Sequence, residues 1–137
     1  MAVDTSNRVH VVWPTLVQES GRETLALFYA MSRNGRTFTP RVRIPSAGAA
    51  YHPQLTLSNT GTLVVAWEQA GGGPRRIRLA EANPVTAGTL AFRAVALPAA
   101  AEGTYPTLAS TPEGIVAAWT SRPGPSSSLA VARLAAR

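Results

Sequence analysis

The chain contains no cysteine, no lysine and a single aspartate, Asp4, in 137 residues. Without cysteine there is no disulfide and no thiolate for catalysis or metal binding, and the compartment is left open. The two histidines, His10 and His52, have no partner at metal-ligand spacing. There is thus no metal signature, and no cofactor is expected. No apolar run approaches the roughly 20 residues of a membrane span. The opening residues carry no charged-then-apolar leader pattern, and no membrane partner is expected. A capped helical period is missing as well. Leu25 to Met31 comes nearest, but it is short, and its counterpart Ile77 to Ala82 alternates apolar with polar, which is a strand pattern.

With lysine absent, all 13 basic residues are arginine, and they face only seven acids for a net charge of +6. Arginine is the better fork for carboxylate, sulfate or phosphate. A GC-rich coding bias gives the same excess, together with the abundance of Ala, Gly and Pro. A nucleic-acid site calls for a basic run interleaved with aromatics. Here the arginines are scattered. The one cluster, Arg75, Arg76 and Arg78, alternates around Ile77 as the solvated side of a strand does. No nucleic-acid partner is expected.

What the chain does have is a repeat. Val9-His10-Val11-Val12-Trp13, Leu63-Val64-Val65-Ala66-Trp67 and Ile115-Val116-Ala117-Ala118-Trp119 each follow a Gly or Asn turn, and the tryptophans lie 54 and then 52 positions apart. That period is the size of a β-propeller blade or a similar repeat unit. Tyr51-His52-Pro53-Gln54-Leu55 and Thr104-Tyr105-Pro106-Thr107-Leu108 precede the second and third copies. Further apolar runs follow each Trp at 25–31, 77–82 and 129–134, and the first two copies add 38–45 and 92–98. Runs of this length bounded by turn residues are strands. The expectation is an all-β chain of four-stranded antiparallel blades, about three in number, forming one partial propeller with repeats near 1–45, 46–98 and 99–137. The Trp strands are apolar almost throughout, as a strand buried on both faces must be. Core packing is the expected role of Trp13, Trp67 and Trp119, although sugar platforms are the alternative, and His10 is expected to be a satisfied core histidine.

Ser32-Arg33-Asn34-Gly35-Arg36-Thr37-Phe38 resembles the Asp-box, or bacterial neuraminidase repeat, of sialidase-like propellers: Ser-x-Asp-x-Gly-x-Thr followed by Trp or Phe. Asn34 stands for the Asp, and the spacing is one residue shorter. In such a turn the Ser32 and Asn34 side chains hold the hairpin backbone, Gly35 supplies a positive φ, and Phe38 tucks beneath. Copy two keeps a degenerate form in Asn83-Pro84, Gly88-Thr89 and Phe92, and copy three has none. The Tyr-x-Pro-x-Leu and apolar-Ala-Trp elements are similar to that family too, so the resemblance covers nearly the whole chain.

The resemblance implies a ring of about six blades. About three fit in this sequence, so one expectation is a head-to-tail homodimer, each chain a half-propeller. The alternative is an excerpt of a longer propeller. The resemblance also implies which end carries function: the loops after each Trp strand and those between blades. These hold the weak catalytic candidate Glu68 and the ligand candidates Arg22, Tyr51, His52, Arg75, Arg76, Tyr105 and Arg122, with Glu19 and Glu102 nearby. Tyr51 and Tyr105 have strand packing as their plainer role, and His52 that of an ordinary loop histidine without a counterpart in copy three.

A sialidase site further implies three arginines on the substrate carboxylate, a Tyr nucleophile with a Glu base, and an Asp acid. Arg43-Ile44-Pro45 matches the family's arginine motif on its face, but copy two has Ala96-Leu97-Pro98 in that place, so it reads as repeat structure. With one Asp in the chain, a complete set is not visible. Two function classes are open: a non-catalytic module that binds a glycan or a protein partner, and a sialidase-type glycoside hydrolase whose site is completed across subunits.

Overall fold

The computed structural model describes residues 1–83, 90–97, 101–121 and 125–135. Every element among them is a strand, and they form three antiparallel sheets. Sheet I runs in the order β1 (Ala2–Val3), β2 (Val9–Glu19), β3 (Arg22–Ser32), β4 (Val42–Ile44). Sheet II repeats it with β5 (Ala49–Leu57), β6 (Leu63–Ala70), β7 (Arg76–Ala82) and β8 (Arg93–Val95). Sheet III has β9 (Thr104–Thr111), β10 (Gly114–Ser121) and β11 (Ser128–Ala135). The fold is all-β, and the sheets are blade-like. The last strands of sheets I and II are shorter than the apolar runs at 38–45 and 92–98, pairing only over Val42–Ile44 and Arg93–Val95.

Local chemistry sets these boundaries. Ser20 and Gly21 both take positive φ, 50° and 76°. That is the two-residue turn whose twist suits a hairpin, so β2 and β3 stay paired over their full length from Val9↔Ser32 to Glu19↔Arg22. The Asp-box-like turn behaves as expected at its polar positions. The Asn34 side-chain oxygen accepts from the Arg36 and Thr37 amides at 2.9 Å each, the Asn34 amide donates to Ser32 Oγ, and Gly35 has φ 69°. Phe38 is the correction. It is exposed rather than tucked beneath the turn, although the adjoining Thr39 amide already donates to the Met31 carbonyl at 2.9 Å. The degenerate turn in copy two falls mostly outside the described residues.

The sheets stack face to face, with sheet II in the middle. On one side Trp67, Val65 and Leu63 pack with Leu27, Tyr29 and Ile44 of sheet I. On the other, Val64, Ala66, Leu79 and Ile77 meet Ile115, Ala117 and Trp119 of sheet III. Strand β6 is therefore buried at every residue from Leu63 to Glu68, the two-sided burial that its unbroken apolar run requires. Each of these two tryptophans faces the preceding sheet. Trp13 faces the other way from sheet II, on the free side of sheet I, and is only half-buried against Phe28. The expectation of a core Trp in every copy thus holds for Trp67 and Trp119 and not fully for Trp13.

Candidate functional site

The backbone of β5 is interrupted between Tyr51 and Gln54, and that of β10–β9 pairing between Ala118 and Thr120. Both interruptions sit beside a residue preceding proline, His52 before Pro53 and Tyr105 before Pro106. Both residues adopt left-handed φ, 48° and 54°. Proline has no N–H to give a ladder, so a bulge is where a strand tolerates it. A non-glycine residue in this region is strained, and such strain is held only where surrounding structure enforces it. His52 and Tyr105 are therefore the equivalent pair of the repeat. This corrects the sequence reading of His52 as unmatched in copy three.

The two bulges bring His52 and Tyr105 together, with ring centroids 4.7 Å apart. Tyr51 lies beside His52, and the Arg75 guanidinium sits 5.1 Å from the Tyr51 ring centre. Beneath them is Glu68, fully buried on β6 directly opposite Tyr51. Its carboxylate accepts from Arg75 Nη1, from the Tyr105 amide at 3.3 Å, and pairs with His52 Nδ1 at 3.1 Å. Burial pushes the Glu68 pKa up. The hydrogen bonds from Arg75, His52 and the Tyr105 amide outweigh it, and the group is held below its ordinary value. Glu68 in turn raises the Arg75 pKa.

Glu68 is an anchored carboxylate. Its lone pairs are committed to three donors from three segments, and it stays ionised well below neutral pH. It holds the Arg75 and His52 side chains and the Tyr105 backbone, and Tyr51 lies opposite it across the strand pair. Those four are exposed or partly so, with Tyr105 and His52 the most open of the rings.

Among the described residues the other ligand candidates share none of these contacts. Arg22 closes the β2–β3 turn opposite Glu19, and Glu19 itself pairs with Arg43 at 2.5 Å. Arg76 borders the group, in a bridge with Glu102 and a 3.9 Å side-chain approach. Arg122 lies outside the described residues. Gly103 was not singled out from sequence, yet its amide donates to the Arg75 carbonyl at 2.9 Å and so ties the Arg75 loop to the strand bearing Tyr105. No sequence signal marks that contact, because it joins two loops remote in the chain.

A second polar group lies at the opposite end of its sheet. Asp4 takes the Ser6 and Arg8 amides at 2.9 Å each, the Arg8 side chain at 2.6 Å and His10 Nε2 at 3.2 Å. His10 Nδ1 reaches Tyr29 Oη at 2.7 Å. Burial opposes ionisation of Asp4, but those donors hold its carboxyl well below the usual range. Burial pushes the Tyr29 phenol up to about 12. This chain of bonds satisfies His10 inside the packing, as expected, and organises the β1–β2 turn. Among the described residues no three His, Asp or Glu side chains converge as a metal site would need.

Compared with known proteins, the chain matches no family model, no curated protein and no solved structure.

Proposed function

We propose that the chain is a run of propeller blades acting as a non-catalytic binding module. Its ligand is a neutral glycan held on the Tyr51–His52–Tyr105 surface. The observation that carries this reading is the three-ring group built on two strained pre-proline bulges. Flat, rigid aromatic faces beside a few fixed polar groups are what a sugar ring needs, apolar C–H faces stacking on the rings and hydroxyls meeting the polar edge.

Charge decides the ligand class. Arg75 is already neutralised by buried Glu68, and Arg76 lies against Glu102. A carboxylate clamp of the sialidase kind needs arginines whose charge is free for the substrate. The same neutralisation weighs against the hydrolase alternative, because Glu68 would have to act as a base while bonded to Arg75.

The test is titration of the chain with neutral β-glucan, xylan and chitin oligosaccharides, followed by amide chemical shifts. Shifts centred on Tyr51, His52, Arg75 and Tyr105 are expected, and Tyr105→Ala should weaken binding at least tenfold, the loss of a stacking contact of roughly 1.4 kcal/mol or more. Binding that ignores Tyr105→Ala would overturn the site. Turnover of a fluorogenic sialoside would overturn the non-catalytic reading.

A further inference from the structure

The repeat allows positions to be compared that differ only in whether another sheet covers them. Leu27, Ile77 and Leu129 stand at one position of the three sheets, directly opposite Pro14, Glu68 and Thr120. Their exposures are 0%, 1% and 74%. Tyr29, Leu79 and Val131 stand two residues further on, opposite Val12, Ala66 and Ala118. Their exposures are 3%, 2% and 57%. Sheet II covers the first of each series, and sheet III covers the second. Nothing among the described residues covers the third, although Leu129 and Val131 are as apolar as their counterparts.

The free side of sheet I gives the mirror result. Val9, Val11 and Trp13 are half-buried, whereas Leu63, Val65 and Trp67 in sheet II, and Ile115, Ala117 and Trp119 in sheet III, are buried. There each Trp packs on the sheet before it. The free side of sheet I is thus a Trp-bearing face lacking a preceding sheet. The free side of sheet III is a receiving face lacking a following one. Terminal repeats that face water carry polar outer surfaces; here Arg43 and Arg133 lie on the two free faces, but Val9, Val11 and Trp13 on one and Leu129 and Val131 on the other stay apolar.

We propose that a second copy of this chain covers both faces, the Trp13 face of each copy seating on the Leu129–Val131 face of the other. The two faces are the two halves of a contact that the chain already makes twice within itself. The arrangement is head to tail, so it either closes or polymerises. It rests on the propeller reading, in which rings hold about four to eight blades. Two copies of three give six and fit that range, and three copies give nine and do not. The Tyr51–His52–Tyr105 groups would then occur twice, related by the twofold axis of the ring.

Sedimentation equilibrium at micromolar concentration tests this. The wild type is expected at twice the 14.4 kDa chain mass. Leu129→Glu with Val131→Glu, and separately Trp13→Arg, are expected at the mass of one chain with a strand-type circular dichroism spectrum retained. Should the glutamates unfold sheet III, Leu129→Gln with Val131→Thr carries the same test with better strand formers. A wild type of single-chain mass overturns the proposal. So does a dimer that survives either change, because its contact lies elsewhere. Glycan binding by a single-chain species would leave the ligand site standing while closure failed, so the two readings fail separately.

Discussion

Trp67 is the residue whose removal should hurt the fold most. It lies on the face of β6 turned to sheet I, almost without exposure, in a cluster with Leu27, Tyr29, Ile44, Leu55 and Phe92. Truncation to alanine in such a place costs on the order of 3–5 kcal/mol, transfer loss plus cavity. A domain of this size holds roughly 5–15 kcal/mol in all. With an unfolding entropy of about 2 cal/mol/K per residue, that loss lowers the melting temperature by about 10–17 °C. Trp119→Ala should do nearly the same. Trp13→Ala, at the equivalent but half-covered position, should cost only about 1–2 kcal/mol in the single-chain species. Trp67→Phe offers a finer check. The Trp67 indole N–H meets no acceptor among the described residues, so losing it removes a desolvated donor with the missing ring volume, and the cost should stay below about 2 kcal/mol. Thermal and urea unfolding followed by circular dichroism, at dilution, ranks the four variants. If Trp67→Ala melts within ~2 °C of wild type, or if Trp13→Ala falls as far as Trp67→Ala, the stacking order of the sheets is wrong.

Two further perturbations address the site. Glu68 has a folded pKa below its ordinary 4.5 and Asp4 one below 3.8. As pH falls past those ordinary values the unfolded chain takes up protons first, so their stabilisation is complete above about 4.5 and is lost on further acidification. Melting temperature should therefore drop below that pH, and Glu68→Gln, though less stable at neutrality, should show a flatter acid limb. Parallel limbs in the two proteins would show that the ion pair contributes nothing. Gly103→Ala should destabilise by on the order of 1–3 kcal/mol, because the added Cβ meets the Thr120 carbonyl and the Trp119 ring. It should also shift the Tyr105 amide resonance, and an unchanged resonance would mean that Gly103 does not position that ring.

The repeat was legible because burial writes itself into strand composition. A strand covered on both faces must be apolar at successive positions, and Leu63 to Trp67 is. The same rule explains what sequence could not reveal. Trp13 sits in a strand that looks like β6, so composition assigned it to a core that the described residues cover only in part. Phe38 failed for a different reason. The turn motif fixes Ser32, Asn34 and Gly35 through local hydrogen bonds, but no local rule sets the placement of the aromatic ring.

The site shows the same division between local and distant causes. Tyr51, His52, Glu68, Arg75 and Tyr105 were all picked from loop position, and the structure gathers them. What position alone could not give is the hierarchy among them. That hierarchy comes from desolvation: Glu68 is the one member cut off from water, so it must be hydrogen-bonded, and the donors from Arg75, His52 and the Tyr105 amide are what keep it ionised. Once it is bonded, Arg75 is no longer an independent charge and one His52 ring nitrogen is occupied, and the exposed rings become the chemically available part. The bulges supply the rest. His52 and Tyr105 occupy the same strained backbone position in neighbouring sheets, so the repeat aims two different side chains from adjacent sheets at one another. Ring identity at those two positions can vary without touching the Trp core, because the bulge and not the side chain sets the backbone. His52→Tyr should accordingly leave the fold intact and change only what the surface binds, and a collapse of the fold in that variant would mean the His52–Glu68 bond holds the bulge together.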